Sequence, residues 1–181
     1  MKRVYVVQQM FAHRADASHA FAERAARQLR ALAGVWPEPT ANGLMVLATA
    51  EAPLDAATAL LEALYPGAIV AGARRVCYRR NPLMQPIMEL FVRAPAVHLP
   101  VLLSDLEQRG ARKRYSAVEN QVWLVRAEAP MAALLGYGET LAALTDGSAD
   151  HWITFKRWDP VRPGEDVNDA PQAGAGQRVL E

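Results

Sequence analysis

The chain repeats itself. Leu47 to Leu54 reads LATAEAPL and Leu124 to Met131 reads LVRAEAPM, an offset of 77 residues. Both follow strand-like runs, GLMVLATA and NQVWLVRA, and both precede alanine- and leucine-rich helical stretches, DAATALLEALYPG and AALLGYGETLAALTDG. Upstream, helix-ending glycines stand at Gly34 and Gly110, an offset of 76. Two matching registers call for two copies of one supersecondary unit. With 181 residues, 51% of them hydrophobic, the chain has enough apolar side chains for two small cores.

Each copy reads strand, helix, strand, strand, helix, strand. In the first, VYVVQQM is rich in β-formers. Asp16 or Ser18 caps a helix whose apolar face is Phe21, Ala25, Leu29 and Leu32, ended by Gly34. Asn42-Gly43 is a hairpin turn into Leu44–Thr49. Pro53 opens a second helix with Leu60, Leu61 and Leu64 inward, and Ile69 to Tyr78 is the last strand. In the second copy, Ile87–Val92 is the first strand. Pro95 starts a helix with Leu99, Leu102, Leu103 and Leu106 inward and a kink expected at Pro100. Tyr115–Val118 and Val122–Ala127 form a hairpin, and Trp152–Trp158 closes the sheet. The expected class is α+β: two tandem ferredoxin-like (βαββαβ) sandwiches, antiparallel sheets each with two helices on one face. The expected boundaries are a module at 1–80, a short linker at 81–86, a second module at 87–158 and a tail at 159–181. The tail sets Asp159, Glu165, Asp166, Asp169 and Glu181 against Arg162 and Arg178, a charge of −3, with no aromatic residue. It buries too little to offset its ordering entropy, so a disordered acidic tail is expected. With a formal net charge of +1 for the whole chain, the body is left mildly basic.

Most chemistries find no residues to carry them. No Gly-Lys pair occurs, which excludes a phosphate-binding loop, and Gly136-Tyr137-Gly138 lacks the third glycine of a dinucleotide turn. His13, His19, His98 and His151 are scattered without metal-ligand spacing, so no metal and no cofactor is expected. The single cysteine, Cys77, lies on a strand where a small buried hydrophobe is the ordinary role. Arg75 and Arg79 share its strand face, the one feature that favours a reactive thiol. Glu51 and Glu128 precede helix-starting prolines at equivalent repeat positions, where a helix dipole accounts for them. No assembled acid, base or nucleophile recommends an enzyme. A start without an apolar run or cleavage site, and no stretch of 18 uncharged apolar residues, point to a cytoplasmic protein without a membrane partner.

Cations are what remain. Arg74, Arg75, Arg79 and Arg80 flank the linker, Arg109, Arg112, Lys113 and Arg114 follow a helix end, and Lys156 and Arg157 lie on the last strand. Such groups suit either a solvated face or phosphate contacts. No aromatic RNP pattern accompanies them in the sequence.

The second module resembles domain V, the C-terminal domain, of elongation factor G-type translational GTPases. PLMQPIMELFVRAP, SDLEQRG, NQVWLVRAEAPMAALLGYGETLAALTDG and HWITFKRWDPV carry the resemblance in order. Its matching positions are Glu89, Asp105-Leu106, Pro130, Gly136-Tyr137, Leu141, Leu144-Thr145, Gly147, Phe155 and Pro160. The first module resembles domain III of the same factors through NGLMVLATAEAPL and RRVCYRR. The resemblance implies a translation-related, non-enzymatic module that binds ribosome, ribosomal RNA or ribosomal protein. Nothing in these residues corresponds to the family's GTPase, β-barrel or fourth domain, so no GTP is expected. The family's R-S-x-T-x-G-R-G stretch reads Ala142 to Ala149 here, without either arginine, and those positions inherit no RNA contact. The candidate contacts are therefore Arg109, Arg112, Lys113 and Arg114, with Tyr137 as a contact or packing residue near them and Arg79, Arg80, Lys156 and Arg157 behind them. A different reading is a protein–protein adaptor or homodimer that uses open sheet faces, with Trp123 or Trp152 at the interface.

Overall fold

The computed structural model describes residues 4–15 and 19–161. The capping residues Asp16 and Ser18 lie outside the described residues, as does the expected tail beyond Val161.

The first unit runs β1 (Val7–His13), α1 (His19–Leu29), β2 (Val35–Thr40), β3 (Gly43–Ala48), α2 (Glu51–Leu64), β4 (Ile69–Ala71) and β5 (Arg75–Val76). The second runs β6 (Met84–Pro95), a 3-10 turn (Ala96–His98), α3 (Leu99–Gln108), β7 (Arg112–Glu119), β8 (Val122–Pro130), α4 (Met131–Leu134), α5 (Tyr137–Thr145) and β9 (Asp150–Pro160). The first sheet has the order β2-β3-β1-β4 with β5 also on β1, and the second has β7-β8-β6-β9. Every pairing is antiparallel. In both sheets the first strand of the unit lies between the third and the fourth. This is the tandem ferredoxin-like plan that the repeat implies.

Period-two alternation decides which sheet face is covered. On β8, Trp123, Val125, Ala127 and Ala129 are buried, while Arg126 between them is exposed. On β6, Met88, Leu90, Val92 and Ala94 are buried against the helices. Leu102, Leu106, Met131, Leu134, Tyr137 and Leu141 meet them from α3, α4 and α5. In the first unit Phe21, Ala25 and Leu29 of α1 and Leu54, Ala57 and Leu61 of α2 cover Val7, Phe11, Leu44 and Val46. The buried residues of both units form one continuous core.

Several local expectations change. Ile69–Tyr78 is not one strand: Gly72, Ala73 and Arg74 interrupt it, leaving two short strands on β1. Pro100 does not kink α3. The 3-10 turn takes up the first residues after Pro95, so Pro100 stands in the helix's first turn, where no N–H is needed. The helix expected after Pro130 breaks in two at Gly136, which adopts φ +69°. Leu64 is exposed rather than inward. The linker shrinks, because β6 starts at Met84 and pairs back to Arg79 through two backbone hydrogen bonds of 2.8 and 3.0 Å. At the other end, β9 carries on through Asp159 and Pro160, which the sequence reading assigns to the tail.

The two units also meet through side chains. Glu51, in the first turn of α2, accepts the backbone N–H of Gly136 at 3.0 Å and Arg74 at 3.0 Å. Arg74 also pairs with Asp55. The Arg79 guanidinium lies 4.7 Å from the Trp158 ring centroid. No described helix is long and apolar enough to cross a membrane.

Candidate nucleic-acid interface

The sequence candidates separate into three kinds. Arg109 and Tyr137 come together but face inward. Arg109 caps the end of α3 and binds both oxygens of Asp105, one turn earlier, at 2.9 and 3.1 Å. It also donates to the Ala133 carbonyl at 2.7 Å and the Thr140 hydroxyl at 3.1 Å, and stacks 5.0 Å from the Tyr137 ring centroid. Its donors are occupied in tying α3 to α4 and α5, which corrects its reading as a phosphate contact. Tyr137 is fully buried, edge-on to His151 at 5.8 Å, with its hydroxyl unpaired among the described residues. Burial pushes its pKa up. Of the two roles expected of it, Tyr137 fills the packing one.

Arg114, Lys156 and Arg157 form the second kind, and one carboxylate gathers them. Glu128 is 4% exposed although it lies on the face of the sheet away from the helices. Arg114 grips it with two hydrogen bonds, 2.9 and 3.0 Å, and Arg157 donates at 2.8 Å; Lys156 supplies the third cation. Hydrogen bonds from Arg114, Lys156 and Arg157, in that order, hold the Glu128 carboxyl well below the usual carboxylate range. Glu89 sits opposite Glu128 in the β6–β8 register. It takes Lys156 at 2.9 Å and Arg126 at 2.6 and 2.8 Å, and its pKa is lowered by the same means. Arg157 completes the cluster with two bonds of 2.9 Å to Asp159. Register explains the grouping. Arg114 on β7 and Lys156 on β9 are the unpaired residues of two bulges, and their side chains reach the glutamates of the neighbouring rung, which runs Arg112, Glu128, Glu89, Thr154. The helix-dipole account of Glu128 is therefore replaced: it sits on β8 and pairs with three cations.

Arg112 and Lys113 are the third kind. Both are exposed at the start of edge strand β7, and neither makes an ion pair with a described residue. Lying on a strand, they owe nothing to the α3 dipole. Arg112 borders an open cleft of about 530 Å³, together with Gln85, Arg109, Glu128, Arg157 and Asp159. Arg79 and Arg80 stand apart, in the exposed turn before β6.

Two other expectations are settled by burial. Cys77 is partly covered, and desolvation pushes its thiol up to about 12, so it is not poised as a nucleophile. Trp123 is fully buried and donates to the Ser116 hydroxyl at 2.8 Å, which removes it from any interface, whereas Trp152 is 55% exposed.

Sequence reasoning misses Glu128, Glu89 and Arg126 as members of the cluster. The usable signal is the alternation in VWLVRAEAP, which puts Arg126 and Glu128 together on the face opposite Trp123 and Val125.

Comparison with known proteins adds an independent observation. Residues 82–167 match the family model described as the elongation factor G C-terminus. Elongation factor G of Salinibacter ruber is 30% identical over 91 residues, 50% of this chain and 13% of that protein. Elongation factor G 2 of Anaeromyxobacter dehalogenans is 34% identical over 79 residues, 44% of this chain and 11% of its own length. The chain thus spans a small fraction of the curated relatives it matches. A solved structure from Thermus thermophilus superposes with a TM-score of 0.60 over 90% of this chain and 42% of that one. At 15% identity, that likeness speaks for the fold.

Proposed function

Since residues 82–167 are similar to the elongation factor G C-terminus, we propose that this chain is a non-enzymatic, ribosome-associated binding module. The observation that carries the reading is the placement of Arg112 and Lys113. They are exposed, they have no ion partner among the described residues, and Arg112 borders an arginine-walled cleft on the matched domain. Free cations next to a rigid ion cluster suit phosphate oxygens, which bind strongly to arginine without needing base identity. Neither GTP nor a catalytic step belongs to this reading.

Co-sedimentation with ribosomes and separated subunits across a salt series tests it. The expected outcome is saturable binding near physiological salt that elongation factor G competes away. Reversing Arg112 and Lys113 to glutamate is expected to weaken that binding and flatten its dependence on salt by about two phosphate contacts. Binding that is absent at physiological salt, or unchanged in the reversed variant, refutes the proposal.

A further inference from the structure

The face of the second sheet that no described helix covers carries one rung running across all four strands. Tyr115 of β7 pairs with Arg126 of β8, Arg126 with Phe91 of β6, and Phe91 with Trp152 of β9. Directly paired residues point to the same face, so three aromatic rings and one guanidinium form a single row. Tyr115 is 50% and Trp152 55% exposed, and the Arg126 guanidinium lies 5.5 Å from the Phe91 ring centroid. Strand spacing makes the row about 15 Å long, enough for two or three stacked bases.

We infer that this row is a stacking platform for unpaired bases of single-stranded RNA. Exposed rings in line offer π-faces that any base can stack on, while bases within a duplex have no free face to offer. Charge favours the same occupant. Beside the row four cations, Arg112, Arg114, Lys156 and Arg157, stand among three carboxylates, Glu89, Glu128 and Asp159, and Arg112 has no ion partner among the described residues. The ground next to the rings is thus net positive, as a phosphate backbone requires. None of the four residues of the row lines the cleft, although the charged groups beside the row border it, and the inference does not depend on ribosome binding.

The test is fluorescence anisotropy of the full chain with a labelled single-stranded RNA of about ten nucleotides, its duplex form, and inorganic polyphosphate. The single strand is expected to bind well ahead of both competitors. Trp152→Ala and Tyr115→Ala should each weaken it by about tenfold, with Trp152→Phe retaining most of the affinity. The salt dependence should stay unchanged in these variants, because no phosphate contact is removed. Equal binding of duplex or polyphosphate overturns the inference, as does unaltered affinity in the double alanine variant with its melting curve intact. So does self-association that Trp152→Ala abolishes in a chain that binds no RNA, which would give the face to a second copy.

Discussion

At 4% exposure, with three cations on its two oxygens, Glu128 is a residue whose charge has consequences for its neighbours. Replacing it with glutamine leaves Arg114, Lys156 and Arg157 sharing a neutral amide. Because the partners are part-exposed, solvent screens much of the loss, and the expected cost at neutral pH is about 1–2 kcal/mol. The sign of the pH dependence follows from the lowered pKa. Glu128 stabilises the fold fully above the unfolded carboxylate value of about 4.3, and that contribution is lost as the pH falls towards the folded value. Urea unfolding of Glu128→Gln and the parent chain should therefore differ at about pH 7, with a gap that narrows progressively as the pH falls below about 4. A gap that stays constant through the acid range would mean that the ion cluster is not its source.

At the scale of elements, two glycines with positive φ make opposite demands. Gly43, at φ +132° in the β2–β3 hairpin, would place a Cβ 2.4 Å from the Phe11 carbonyl oxygen on the paired strand. Gly136, at φ +69° between α4 and α5, has open space around it. Thermal melts should show Gly136→Ala costing about 1 kcal/mol, from the backbone alone. Gly43→Ala should cost about 3 kcal/mol or more, because backbone has to move. Equal costs would mean that the hairpin yields easily. Asn42-Gly43 is readable in the sequence because a tight turn needs that chemistry, and the repeat is readable because equal cores impose equal patterns. Pro100 misleads because the 3-10 turn before it shifts the helix start, which no residue type announces. Ile69–Tyr78 reads as continuous because β-propensity is blind to the gap at Gly72–Arg74. The face cluster stays hidden because it joins Arg114, Glu128 and Lys156 across three strands, and two bulges set their register. Local periodicity reports neither pairing nor bulges.

At the scale of the whole molecule, the two units share a core and a polar clasp. Glu51 takes the Gly136 amide with one oxygen and Arg74 with the other, so the start of α2 holds the break between α4 and α5. Removing the acceptor in Glu51→Ala should speed hydrogen exchange of the Gly136 amide by about an order of magnitude, with amides in the sheet centres unaffected. Glu51→Gln keeps an oxygen in place and should preserve most of the protection. Unchanged exchange in the alanine variant would show that packing alone joins the units.

Strand β7 ends its sheet, so one row of its backbone N–H and C=O groups has no strand beside it among the described residues. With Tyr115 and Val118 half exposed along it, such an edge invites another chain to add itself and propagate. Arg112 and Lys113, together with the bulge beside them, resist that addition by repulsion and by twist. The cations proposed to meet phosphate thus stand where they would also oppose edge-to-edge aggregation. Neutral replacements would remove both roles at once, whereas glutamate keeps the guard while reversing the contact.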